Sequence, residues 1–114
     1  MMLNGALAGL VAITAEPLTP TPGLAIVIGS IGALIMYFGT KMLENFGIDD
    51  VVGAIPVHMF AGIFGTLVVP LTNSDTSFGT QLVGTLSVCV FSFVLSYLVF
   101  KALKATVGLR ISKA

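Results

Sequence analysis

The chain has 114 residues, of which 56% are apolar, 13 are Gly, five are basic, five are acidic and one is His. A soluble domain has about 25% charged residues, so these few charges cannot cover a water-exposed surface. The composition therefore excludes a cytoplasmic enzyme and a disordered linker, and a net charge of zero argues against a nucleic-acid binder.

The charged residues divide the chain into charge-free stretches, three of which exceed the roughly 20 residues that a helix needs to cross a bilayer. The pattern predicts an all-α integral membrane protein, a partial helical bundle of about four transmembrane helices. The predicted spans are residues 3–15, 23–43, 51–71 and 78–103.

In chain order, the first stretch, counted from Met1 to Ala15, reaches only about 22 Å at 1.5 Å per residue, so it is predicted to be a truncated span. The loop at residues 16–22 follows, where three prolines exclude regular helix. Gly47 is predicted to end the second helix. A polar turn at residues 72–77 precedes the fourth span.

The basic residues predict the orientation in the membrane. In a four-span topology, both chain ends and the loop at 44–50 share one side, which is predicted to be cytoplasmic. All the basic residues fall on that side: Lys41, Lys101, Lys104, Arg110 and Lys113.

Small residues recur four positions apart, a spacing that lets membrane helices approach closely. The abundance of Gly and Ala in membrane spans is the alternative explanation for any single pair. The predicted contact positions are Gly5 and Gly9, Ala25, Gly29 and Ala33, Ala61 and Gly65, and Ser92 and Ser96.

His58 is the one ionisable side chain well inside a predicted span. Eight residues of helix from Asp50 place it about 12 Å deep, near the middle of the hydrocarbon. Because an imidazole there needs a partner or a cavity, it indicates a functional site. Pro56 removes a backbone donor and favours a kink at this depth.

A structural role for His58 is the alternative, with its ring bonded to a hydroxyl of a neighbouring helix, such as Thr66, Thr85 or Ser87. Neither a metal site nor a cofactor is expected, since no second ligand lies at helical spacing from His58 and the single Cys89 has no partner. Enzyme activity is not expected either, because the serines in the spans lack a neighbouring base.

Asp49 and Asp50 allow two interpretations. They can cap the third span, or they can form a carboxylate dyad or cation site. Capping explains both residues with fewer assumptions.

Three motifs resemble the ammonium transporter and Rhesus glycoprotein family. Residues 49–65, with an Asp-Asp pair ahead of His58, resemble its tenth membrane helix. Residues 4–15 are similar to its eighth helix, and residues 106–110 to the end of its eleventh. They occur in the family's order across nearly the whole chain.

The resemblance implies a homotrimer of eleven-helix subunits in the cell membrane, each subunit with its own pore for ammonium or ammonia. His58 matches the second of two pore histidines, and Thr14 and Ala54 match positions that border the pore. Residues 1–114 would then be the C-terminal part of such a transporter, with one pore wall and no transport activity alone. The alternatives are a free-standing oligomeric four-helix transporter and a non-transporting interaction module.

Overall fold

A computed structural model describes residues 1–110 of the chain. These residues form helices and no strand, which confirms the predicted all-α fold. The elements are α1 (Met2–Thr14), α2 (Pro22–Asn45), a π-helical segment (Ile55–Phe60), α3 (Ala61–Thr72) and α4 (Phe78–Thr106). They divide into two compact units, residues 1–82 and the chain from Val83 onward.

Among residues 1–110, three helical stretches are long and apolar enough to cross a membrane: Pro22–Asn45, Ile55–Thr72 and Phe78–Thr106. The second of these joins the π-helical segment to α3 without a break. The first helix, α1, is equally apolar but has only 13 residues. Its length agrees with the short first span that the sequence predicts.

Local sequence determines both ends of α2. The Thr21 hydroxyl accepts a hydrogen bond from the backbone N–H of Leu24 at 3.3 Å, and Pro22 occupies the first turn, where no N–H is needed. At the other end, Gly47 has a φ of +69°, and the N–H of Ile48 donates to the carbonyl of Leu43 at 3.0 Å. This is the Schellman arrangement, and it confirms the predicted helix end at Gly47.

Helices α1 and α2 pack antiparallel through glycines. A Cβ atom built on Gly9 would lie 3.1 Å from the carbonyl oxygen of Gly29, and one on Gly32 would lie 2.6 Å from the Cβ of Ala12. Gly5 lies opposite Ala33. The predicted close approach of small residues is confirmed here, and Gly32 is an additional member that the four-residue spacing missed.

Helices α1 and α3 lie parallel to each other, with α2 antiparallel to both. A Cβ atom on Gly65 would overlap the backbone carbonyl of Ala12, so the two helices are in backbone contact. Beyond that crossing, the side-chain amide of Asn73 donates to the carboxylate of Glu16 at 2.9 Å. Ala8 and Ala61 are completely buried in the same core.

The third helical stretch begins at Ile55 rather than at the predicted start of the span, Val51. Val51 and Val52 form a turn, and Gly53 has a φ of +72°, which the right-handed helix does not allow. The apolar character of the two valines extended the predicted span, whereas Gly53 and Pro56 determine where helix can begin.

In the second unit, α4 ends at Thr106. Gly108 lies just beyond this end and has a φ of +79°. Its N–H donates to the carbonyl of Leu103 at 2.9 Å. Lys101 and Lys104 belong to the last turns of this helix. Lys113, the last of the predicted cytoplasmic cations, lies outside the described residues.

Candidate functional site

The candidate site is built at the start of the π-helical segment. The two carboxylate oxygens of Asp50 accept hydrogen bonds from the backbone N–H groups of Ala54, at 2.9 Å, and Ile55, at 2.8 Å. A negative charge at this end of a helix also interacts favourably with the helix dipole. Within residues 1–110, Asp49 makes no corresponding bond to this helix, so capping rests on Asp50.

Pro56 follows the two capped residues and has no N–H of its own. Its ring is fully buried and lies beside Gly39 of α2, where a Cβ atom would be 3.3 Å from the proline Cβ. A Cβ on Gly39 would also overlap the ring of Phe60. Gly39 therefore allows α2 to approach the π-helical segment at the level of the candidate histidine.

The π-helical hydrogen bond closes around His58. The N–H of Ala61 donates to the carbonyl of Pro56, five residues earlier, instead of the four-residue interval of an α-helix. Such single-turn π-helical insertions occur frequently at functional sites. Pro56 and Val57 are buried, whereas His58 and Met59 are exposed.

The imidazole of His58 makes no hydrogen bond among residues 1–110. Two of the hydroxyls considered as partners donate to carbonyls of their own helices: Thr66 to Gly62 at 2.9 Å, and Ser87 to Val83 at 2.8 Å. In the same described range, no three His, Cys, Asp or Glu side chains gather as metal ligands would.

The estimated depth of His58 needs correction. The value of about 12 Å assumed regular α-helix from Asp50 onward. Residues 51–53 form a turn, and residues 55–60 are π-helical. The depth of His58 relative to Asp50 is therefore not that of eight residues of regular α-helix, and the value of about 12 Å is wrong for this segment.

The three predicted pore-lining residues occupy two levels of the first unit. Ala54 lies at the start of the segment that contains His58, and both are exposed. Thr14 is the exposed last residue of α1, and its hydroxyl donates to the carbonyl of Leu10 at 2.6 Å. Because α1 and α3 are parallel, Thr14 lies toward the end of the unit where Glu16 meets Asn73.

One contact at this site was not predicted. The side-chain amide of Asn4 donates to the carbonyl of Val52 at 3.0 Å, which joins the start of α1 to the turn before the π-helical segment. Two signals in the sequence could have revealed it. Gly53 favours a turn ahead of the helix, whose carbonyls have no helical donors, and Asn4 is the only side-chain amide in the first predicted span.

The model of the Ammonium Transporter Family matches residues 1–114. The chain is 35% identical to the ammonium transporter Amt2 of Archaeoglobus fulgidus, with 98% of this chain and 28% of the relative covered. It is 35% identical to the ammonium transporter Amt1 of Haloferax mediterranei, covering 98% and 23%. It is 32% identical to the ammonium transporter of Bacillus subtilis, covering 95% and 31%.

The chain thus spans between 23% and 31% of the length of these relatives. No solved structure matches it significantly. The family match covers every residue, and the long apolar helices agree with it. The chain is a multi-pass membrane protein and belongs to the Ammonium Transporter Family.

Proposed function

We propose that this chain takes part in the transport of ammonium or ammonia across a membrane, and that it supplies one wall of the permeation path. His58 is the central residue of that wall, with Ala54 before it and Thr14 near the far end. The proposal draws on the family of the chain and on the transporter names of its relatives. These names also favour transport over an enzymatic reaction.

The observation that carries the proposal is the exposure of His58 beside two buried neighbours. Pro56 and Val57 pack into the first unit, while the imidazole stays outside its core. An ionisable ring in a membrane span is costly unless it pairs with another group or faces a polar cavity. Since residues 1–110 supply no hydrogen-bond partner, a path for a small polar substrate is the environment that fits the ring.

The chemistry of the substrate explains why one imidazole on an apolar wall is useful. Ammonium carries a charge whose transfer into hydrocarbon costs far more than transfer of neutral ammonia. A path that accepts the neutral form, and offers a nitrogen base along it, discriminates against alkali cations because these cannot lose their charge. Apolar residues beside His58 then help selectivity instead of blocking it.

The relatives are much longer than this chain, which covers between 23% and 31% of their length. Within the first unit the imidazole of His58 stays exposed, and we propose that helices beyond this unit complete the path. We therefore propose that the chain corresponds to the C-terminal part of a transporter subunit that forms a homotrimer, and that it does not transport alone. We place it in the cell membrane with its C-terminus in the cytoplasm, because the basic residues fall on that side.

The test replaces the matching part of the Archaeoglobus fulgidus relative with this chain and measures methylammonium uptake by cells. The chimera is expected to transport, and His58→Leu is expected to change its rate or its selectivity against potassium. Met59→Leu is the matched control, because Met59 is the exposed neighbour of His58. Unchanged rate and selectivity in His58→Leu would reject the role of this residue.

A further inference from the structure

The last part of the chain carries positive charge that no acidic side chain of its own can balance. The sequence of residues 76–114 contains neither Asp nor Glu. Its basic residues are Lys101, Lys104, Arg110 and Lys113. The first unit differs, because its one lysine, Lys41, forms an ion pair with Glu44 at 3.2 Å. The cations near the end of α4 therefore need a negative partner from outside the second unit.

These cations follow directly on an apolar stretch that is long enough to cross a bilayer. Residues 78–100 of α4 contain no charged side chain. At 1.5 Å per residue they extend about 33 Å, which is close to the roughly 30 Å of hydrocarbon in a bilayer. Lys101 and Lys104 come in the next turn, so we expect them at the level of the lipid headgroups, where their stems can extend toward phosphates.

The two lysines share one face of α4 with two aromatic rings. Side chains three and four positions apart are neighbours on a helix, and such spacings relate the residues of this face to one another. The residues are Tyr97, Phe100, Lys101 and Lys104. The Nζ atom of Lys101 lies 6.0 Å from the centroid of the Tyr97 ring, which is the distance of a cation–π contact. Both aromatic residues precede the lysines along the helix, on the side of the hydrocarbon.

The turn after α4 converts this face into a groove. Gly108 has a φ of +79°, and its N–H donates to the carbonyl of Leu103 at 2.9 Å, so the chain leaves the helix axis at this point. Leu109 then lines an open groove of about 600 Å³ together with the two rings and the two lysines. Ala105 also lines it and has a side chain too small to fill it. The groove thus combines apolar walls with two cations.

We propose that the groove at the end of α4 binds an anionic phospholipid, whose headgroup phosphate contacts Lys101 and Lys104. The start of its acyl chains lies along Tyr97 and Phe100. Two cations without an acidic neighbour complement a headgroup of net negative charge. A zwitterionic headgroup balances its own phosphate and is expected to bind less tightly.

The apolar walls distinguish this ligand from a free phosphate. Inorganic phosphate or a soluble phosphate ester would contact the ammonium groups but leave the aromatic rings and Leu109 uncovered. A lipid covers both parts of the groove at once, and α4 already places the groove at the depth where headgroup and acyl chain meet. The proposal goes beyond ammonium transport and does not depend on it, nor on which side of the membrane the groove faces.

The test measures lipid binding to the whole chain in a mild detergent by native mass spectrometry. The probes are dioleoyl phosphatidylglycerol and dioleoyl phosphatidylcholine, which have the same acyl chains and differ in headgroup charge. Lys101→Gln, Lys104→Gln and the double variant are compared with the parent chain. Lys41→Gln is the matched control, because it removes the same charge from a lysine that is paired with Glu44.

The parent is expected to prefer the anionic lipid, and each single variant to lose about fivefold in affinity for it, as expected for one basic residue at an anionic surface. The double variant is expected to lose the preference, and Lys41→Gln to keep it. Lys101 and Lys104 are exposed, and glutamine favours helix about as well as lysine, so α4 is expected to form in all variants. Replacing both lysines with arginine is expected to keep the preference.

Three results would overturn the proposal. The first is equal affinity of the parent chain for the two lipids, and the second is a preference that survives in the double variant or is lost equally in Lys41→Gln. The third is displacement of the anionic lipid by an equal concentration of glycerol 3-phosphate, which would assign the groove to a soluble phosphate. Because no transport is measured, these outcomes are separate from those of the uptake experiment.

Discussion

Asn73 and Glu16 join the far ends of α3 and α1 through a hydrogen bond of 2.9 Å between the amide Nδ2 and the carboxylate Oε2. They are 57 positions apart, and both are half-buried. At the opposite end of the same helix pair, Asn4 bonds to Val52. Two parallel helices that are not neighbours in sequence are thus held at both ends by a side-chain amide.

Replacing Glu16 with Ala is expected to lower the free energy of unfolding by about 0.5–1.5 kcal/mol, because the amide of Asn73 loses its acceptor. Unfolding in mixtures of a mild detergent and dodecyl sulfate measures the change. Glu44→Ala is the control. Glu44 forms an exposed ion pair with Lys41 at 3.2 Å, which contributes at most about 1 kcal/mol. A loss of less than about 0.5 kcal/mol in Glu16→Ala would contradict the structural importance of the Glu16 contact.

Gly65→Ala is expected to destabilise the first unit by about 1–3 kcal/mol, since the added methyl group overlaps the carbonyl of Ala12 and pushes α1 and α3 apart. The same unfolding measurement applies. Gly23→Ala is the matched control because a Cβ there meets nothing within 4 Å. The control is expected to be neutral or stabilising by up to about 1 kcal/mol. A neutral Gly65→Ala would show that the two helices are not in backbone contact.

Asp50→Ala is expected to cost about 1–2 kcal/mol, because the N–H groups of Ala54 and Ile55 lose their cap. Asp49→Ala, one residue earlier, is expected to change stability by less than about 0.5 kcal/mol. Thermal unfolding followed by circular dichroism gives both values. The cap assignment fails if Asp49→Ala costs as much as Asp50→Ala.

The orientation is tested by labelling single cysteines with a maleimide that cannot cross membranes. In a Cys89→Ser background, Thr19→Cys is expected to react in intact cells, because the loop at 16–22 contains no basic residue. Asn45→Cys, near Lys41, is expected to react only after the membrane is opened. Both positions are exposed. The reverse labelling pattern would place the chain the other way round.

Composition and periodicity were sufficient to predict the helical fold and the approximate bounds of the helices. Apolar stretches between charges need internally satisfied backbone, so α2 and α4 could be placed within a few residues. The start of the third helix could not, because Val51 and Val52 are as apolar as the helix that follows them. There the backbone conformation of Gly53 and the missing donor of Pro56 decide the boundary.

The candidate site, like the fold, could be predicted from the sequence only in part. The sequence alone pointed to His58, since an ionisable side chain inside an apolar stretch is conspicuous without any structure. The π-helical turn around His58 and the hydrogen bond between Asn4 and Val52, which are 48 positions apart, were visible only in the structure. Local pattern reports which groups need partners, and only the packing of α1 and α2 against the third helix decides which distant groups supply them.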